Sequence, residues 1–312
     1  MKQHARKKEY LLSGHHGFFS SRFFLLCIVV FALLIISISA FYVRKTHAFL
    51  PSVASLYEEW NQKKYLSVYE KSGLILNKRP LDGSILALHG FSAYYLFAEQ
   101  NNPANAQIYL VESINYLRNS WYRVSDSEKP QIAYVLGKAY YQRGYYYADL
   151  AIKYLDFAYN AGIHYDDLSE FRGLAFSLLG KYSESIEAFT ESLANNPSDL
   201  LLFTLSQNYL NVDDMDSAKR YLYETIRTTN DELLHLKCRY FLGTIFISEA
   251  RYEEAQTEFD AIIQKDPNSA DAHYGLGVIY ENQGDLIRAR SEWRKAIKLN
   301  PIHLGARTKL NL

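Results

Sequence analysis

The stretch "HYGLGVIYENQGDLIRARSEWRKAIKLNP", His273 to Pro301, lies 34 residues after "RYFLGTIFISEARYEEAQTEFDAIIQKDP", Arg239 to Pro267, and the two superimpose without a gap. Leu242-Gly243 falls on Leu276-Gly277, Phe246 on Tyr280, Ala255 on Ala289, Phe259 on Trp293 and Pro267 on Pro301. Agreement at spaced positions in fixed register marks an internal repeat. Each copy holds two segments of roughly a dozen residues with apolar side chains at helical spacing. The closing proline stands where the second helix must stop. Gly243, Ala255, Gly277 and Ala289 are small enough to let paired helices approach closely. One helix pair cannot bury its own apolar stripe, so such units must stack on their neighbours.

The pattern runs upstream with decay. Residues 200–226 carry Leu205, Tyr209, Ala218 and Leu222 in the same slots, and residues 171–197 carry Gly173, Phe176, Gly180, Tyr182, Phe189 and Pro197. The latter copy departs with Arg172 at the usual Leu and Ser185 at the usual Ala. Residues 133–162 keep Leu136, Gly137, Tyr140, Gly144 and Ala158, with two extra residues between the helices. Gly90 marks a weaker unit with a longer connection through Pro103, and Tyr65 and Pro80 mark the weakest. Repeats are expected to start near 49, 83, 130, 166, 199, 236 and 270, filling 49–303, with a short cap over 304–312. The polar stretch Asn119 to Pro130 reads as an insertion or an extended helix end. Gly144, Gly180 and Gly284 occupy the turn between helices, where a left-handed residue ends a helix. In the tyrosine-rich run 140–159, Tyr140 and Tyr146 are expected in the core, Tyr145 and Tyr147 half-exposed, and Tyr154 and Tyr159 on the second helix.

The 34-residue period with Leu-Gly, aromatic, Ala, aromatic and final Pro resembles the tetratricopeptide repeat (TPR) family. The fold expected is therefore all-α: an α-solenoid of about seven helix hairpins, preceded by one transmembrane helix. The resemblance implies that the first helix of each unit lines a concave face through slots 2, 5, 9 and 12. Those slots here hold Phe91, Tyr94, Tyr134, Lys138, Tyr141, Phe203, Gln207, Tyr240 and Tyr274, together with Trp60, Glu170, Thr244 and Ile247. An aromatic and aliphatic groove of this kind marks a surface for a protein or peptide partner. Members of the family that capture acidic chaperone tails use Lys at slot 5 and Asn at slot 9; no such pair is present, which argues against that ligand.

Residues 23–43, "FFLLCIVVFALLIISISAFYV", carry no charge. As a helix they span about 31 Å, matching a bilayer core of about 30 Å. Five basic residues precede them and only Arg44 and Lys45 follow closely. The positive-inside rule then places residues 1–22 as a cytoplasmic tail and the repeats on the periplasmic or other extracytoplasmic side. The competing expectation is a cleaved signal peptide with small residues around Ser37 to Ala40, releasing a secreted or periplasmic carrier.

Residues 1–48 hold seven basic residues and one acidic residue, which leaves 27 basic and 33 acidic in 49–312, a net of −6. A mildly acidic repeat region lacks the basic footprint of a nucleic-acid binder. The two cysteines, Cys27 and Cys238, lie too far apart in the pattern to suggest a structural disulfide. No GxSxG, Walker A or HExxH motif occurs. The nine histidines are scattered, and His15-His16 have no partners at metal-ligand spacing. The expectation is a non-catalytic, membrane-anchored scaffold or adaptor. It needs no cofactor or metal, and neither nucleic acid nor a small-molecule substrate is expected as partner.

Overall fold

The computed structural model describes residues 29–39 and 50–312. The predicted tail, including His15-His16, lies outside the described residues, as do Cys27 and most of the flanks of the predicted span 23–43. The chain divides into two compact units, residues 1–57 and 58–312. In the first, residues 29–39 form a helix whose apolar side chains stand in the open, with Val29 49% and Phe31 67% exposed. Its two hydroxyls turn back onto the helix: Ser37 donates to the Leu34 carbonyl and Ser39 to that of Ile36, both at 2.9 Å. Among the described residues no helix is long and apolar enough to cross a membrane.

From residue 53 the described chain is helical with no strand. The helices are α1 (Val53–Asn61), which crosses the division between the units, and α2 (Tyr65–Leu76); α3 (Gly83–Glu99) and α4 (Pro103–Trp121); α5 (Lys129–Gln142) and α6 (Ala148–Asn160); α7 (Leu168–Leu178) and α8 (Tyr182–Asn195). They continue with α9 (Asp199–Asn211) and α10 (Met215–Thr228); α11 (Glu232–Ser248) and α12 (Tyr252–Lys265); α13 (Ala270–Asn282) and α14 (Leu286–Leu299); and α15 (Leu304–Leu310). Short polar side chains start many of them. Asp82, Asn102, Ser198, Asp231 and Ser269 each accept a hydrogen bond from a first-turn backbone N–H. His303 does the same for α15 through Nδ1, at 3.0 Å from Ala306 N.

Within a hairpin the first helix leans on a large residue of the second, and a glycine permits the approach. A Cβ at Gly137 would stand 2.6 Å from Leu155 Cγ, and one at Gly277 2.3 Å from Trp293 Nε1. Ser185, in the usual Ala slot, donates to the Gly173 carbonyl at 2.8 Å, so its hydroxyl is satisfied inside the contact. Arg172, in the usual Leu slot, pairs with Asp156 at 2.8 Å and lies 3.9 Å over the Tyr159 ring. The turn glycines Gly144, Gly180 and Gly284 have φ of 82°, 70° and 84°. Lys63, Asp213 and Ala250 take the same left-handed conformation without glycine's freedom.

The tyrosine run departs from expectation at one position. Tyr146 is 88% exposed rather than core. The extra residues form a 3-10 turn at Tyr145–Tyr147, and Ala148 and Ala151 take the buried places. Tyr140 is buried and stacks on Tyr147 and Tyr154, at centroid distances of 6.1 and 5.7 Å.

Candidate partner-binding face

The first helices of successive hairpins touch: α3 packs beside α5, α5 beside α7, and α11 beside α13. Side chains one helical turn apart share a face, so this layer collects the predicted slots from different hairpins. Phe91 and Tyr94 of α3 and Tyr134, Lys138 and Tyr141 of α5 come together in one cluster. Trp60 joins through Phe91, at 6.0 Å, and Tyr95 at 5.4 Å.

Lys138 is the centre of this cluster. Its ammonium lies 5.7 Å from the Tyr94 ring, 4.8 Å from Tyr134 and 4.5 Å from Phe171. It donates to Asp167 Oδ2 at 2.6 Å and to the Tyr134 hydroxyl at 3.0 Å. Tyr134 in turn donates to Asp167 Oδ1 and stacks on Tyr165 at 4.1 Å. Burial, then the Asp167 carboxylate, push the Tyr134 phenol upward. Burial and the neighbouring Asp167 also raise Glu170, against the pull of Lys138. A carboxylate, a phenol and three ring faces thus compensate a desolvated cation.

The predicted slots therefore do not form a uniformly open stripe. Phe91, Tyr94, Tyr134 and Phe203 are only 8%, 6%, 7% and 8% exposed. The next hairpin covers the middle of the cluster with Tyr165, Asp167 and Phe171. Tyr141 stays half-buried, edge-on to Phe171 at 5.6 Å. Further along, Phe203 packs on Phe241 at 5.7 Å, and Gln207 is half-buried on α9.

Tyr240 and Tyr274 meet at a second place. With Thr244, Ile247, Val278 and the Phe259 ring they line an apolar cleft of about 150 Å³ between α11 and α13. Both tyrosines are half-buried. Gly275 lets α13 pack closely on Phe259 beside this cleft, because a Cβ there would lie 2.4 Å from Phe259 Cζ.

Asp167, Tyr165 and Phe171 were not among the expected site residues. They occupy the entry to and first turn of α7, and only the stacking of hairpins brings them to Lys138. Among the described residues no group of three or more His, Cys, Asp or Glu is arranged to hold a metal ion. Cys238 is a buried free thiol whose pKa burial pushes up to about 12, so it is neither an activated nucleophile nor a ready ligand.

A tetratricopeptide repeat family model matches residues 241–301. The chain is similar in fold to YrrB, described as a TPR protein with an unusual peptide-binding site: 19% identity over 63% of this chain and 98% of YrrB, with a TM-score of 0.50. MamA matches at 18% identity over 60% of this chain and 97% of MamA, with a TM-score of 0.49. No curated protein matches the chain.

Proposed function

We propose that this protein is a non-catalytic scaffold whose first-helix face binds a peptide segment or helix of another protein. The observation that carries the reading is the apolar cleft between α11 and α13, where half-buried Tyr240 and Tyr274 flank open space over a fixed aromatic floor. Aromatic side chains presented this way are frequent interface anchors. A peptide-binding site in YrrB, which shares the fold, agrees with a peptide occupant. Half-buried Tyr141 extends the same face toward the Lys138 cluster.

The second half of the proposal is a membrane tether through residues 23–43, with residues 1–22 cytoplasmic and the repeats periplasmic or otherwise extracytoplasmic. The uncharged run and its upstream basic residues support it. So does the helix at 29–39, which exposes apolar side chains from Val29 through Ile38.

Photo-crosslinking in cells from position 244 tests the binding face. A discrete adduct is expected, and Tyr240→Ala with Tyr274→Ala should abolish it while circular dichroism is retained. An adduct unchanged by the double substitution refutes the assignment. Carbonate extraction tests the tether: the protein should stay in the membrane pellet, and release into the soluble fraction overturns that half alone.

A further inference from the structure

A second cleft, of about 860 Å³, is lined by α2, α3 and α4 and shares no lining residue with the α11–α13 cleft. Tyr69, Gly73 and Leu74 of α2 form one wall, Glu112, Tyr116 and Asn119 of α4 the other, and Leu86 and His89 of α3 the floor. This volume falls in the range of specific ligand sites, roughly 300–1,000 Å³.

The polar groups at its floor are organised. His89 is 4% exposed, stacks on Tyr69 at 4.4 Å and meets Tyr116 edge-on at 4.3 Å. Its Nδ1 lies 2.8 Å from Ser72 Oγ, and the Ser72 hydroxyl donates to the Tyr69 carbonyl at 3.0 Å. With that hydrogen committed, Nδ1–H donates to Ser72 and Nε2 is left as an acceptor. The Tyr69 hydroxyl fixes the Glu112 carboxylate.

Gly73 supplies an independent observation. A glycine inside a helix costs about 1 kcal/mol relative to alanine. At the other described helical glycines a Cβ would come within 3.0 Å of a neighbouring atom, so packing requires them. At Gly73 the Cβ would meet only His89 Cε1, at 3.6 Å, which is ordinary contact. Packing gives no reason for this glycine, whereas an occupant lying across the His89 floor does.

The charges along the cleft differ from end to end. Glu70 and Glu112 stand toward one end and Arg123 at the other. Glu112 and Arg123 are separated by eleven positions along and just beyond α4, about 16 Å at 1.5 Å per residue. An extended chain of about five residues covers that distance at roughly 3.3 Å each. Leu74, Leu76, Leu81 and Pro80 line the cleft as apolar surface, with Leu74 55% and Leu81 66% exposed.

We propose that this cleft is a peptide-binding site separate from the first-helix face. It takes a short extended segment with a basic side chain at Glu70 and Glu112, aliphatic side chains on the leucine wall and an acidic side chain at Arg123. A backbone N–H of that segment donates to His89 Nε2, and the missing side chain of Gly73 gives the backbone room.

Fluorescence anisotropy with the full chain in detergent micelles tests it, using fluorescein-labelled peptides KLALD and the neutral counterpart QLALN. KLALD should bind at least tenfold more tightly than QLALN. Glu112→Gln should remove most of that preference. Gly73→Ala should weaken KLALD at least tenfold while thermal stability holds or rises, a combination that a purely structural glycine would not give. Tyr240→Ala should leave KLALD binding unchanged, so this site and the first-helix face fail separately. Equal binding of the two peptides, absence of binding, unaltered affinity in Gly73→Ala, or loss of binding in Tyr240→Ala would each overturn the proposal.

Discussion

Phe259 is held between two hairpins by two glycines, and Gly275→Ala tests whether that contact sets the spacing of the stack. The ring is fully buried. A Cβ at Gly275 would lie 2.4 Å from Cζ and 2.5 Å from Cε1, where carbon atoms favour about 3.5–4.0 Å. Relief therefore needs a displacement of about 1 Å. The ring has little room to retreat, because its tip also sits against Gly243 of α11, where a Cβ would lie 2.7 Å from Cζ. Overpacking of this kind costs about 1–3 kcal/mol, and the better helix propensity of alanine returns about 1 kcal/mol. The net expectation is a loss of up to about 2 kcal/mol, concentrated in α11–α13 because repeat arrays are coupled to nearest neighbours. Phe259→Leu shortens the obstructing side chain, so in that background Gly275→Ala should cost little or become favourable. The cycle should thus show a coupling of about 1 kcal/mol or more. Urea unfolding followed by circular dichroism gives the totals, and hydrogen exchange of α11–α13 amides locates the loss. Strictly additive substitutions, or a Gly275→Ala protein more stable than the parent, would refute the reasoning.

Further outcomes follow from other contacts. Ala250 sits at φ 58° in the turn where the next hairpin has Gly284 at 84°; Ala250→Gly should raise stability by about 0.5–1 kcal/mol in thermal unfolding, net of the chain entropy glycine adds. Lys138→Met leaves Asp167 facing a desolvated aromatic pocket and should cost about 1–3 kcal/mol, discounted because the Asp167 side chain is 33% exposed; adding Asp167→Asn should recover much of it in the same denaturation assay. Burial holds the His89 pKa below its ordinary 6.5, with Glu112 and the Tyr69 backbone opposing. The unfolded chain therefore binds the proton more readily, and this contribution to stability is present above about pH 6.5 and lost as pH falls through the folded value. His89→Gln should flatten that part of the stability–pH curve between pH 7 and 5, and an unchanged slope would remove His89 as its source.

Much of the local architecture was legible in the sequence. The α11–α12 and α13–α14 hairpins carry the full pattern: helical spacing of apolar residues, a glycine opposite a large side chain, a left-handed turn residue and a proline at the end. Tyr146 shows the limit. Two additional residues shifted the start of α6 by a 3-10 turn, and a side chain read as core turned to solvent. The inner slots were readable as positions, since Tyr134, Lys138 and Tyr141 share a helix face by period alone. Their surroundings were not. Whether a slot is open depends on how far the following hairpin leans over it.

Periodicity, propensity and the small-to-large pairing at each crossing are encoded within about 34 residues of chain, so the sequence by itself determined an all-helical repeat of stacked hairpins. Contacts between hairpins depend on the angle and offset at which neighbours pack, which no single stretch encodes. Only the tertiary structure decided that Asp167, 29 positions downstream, neutralises Lys138. It alone joined Tyr69, Ser72, His89 and Glu112 from three helices around one cleft, and showed that among the described helical glycines only Gly73 has room for a side chain.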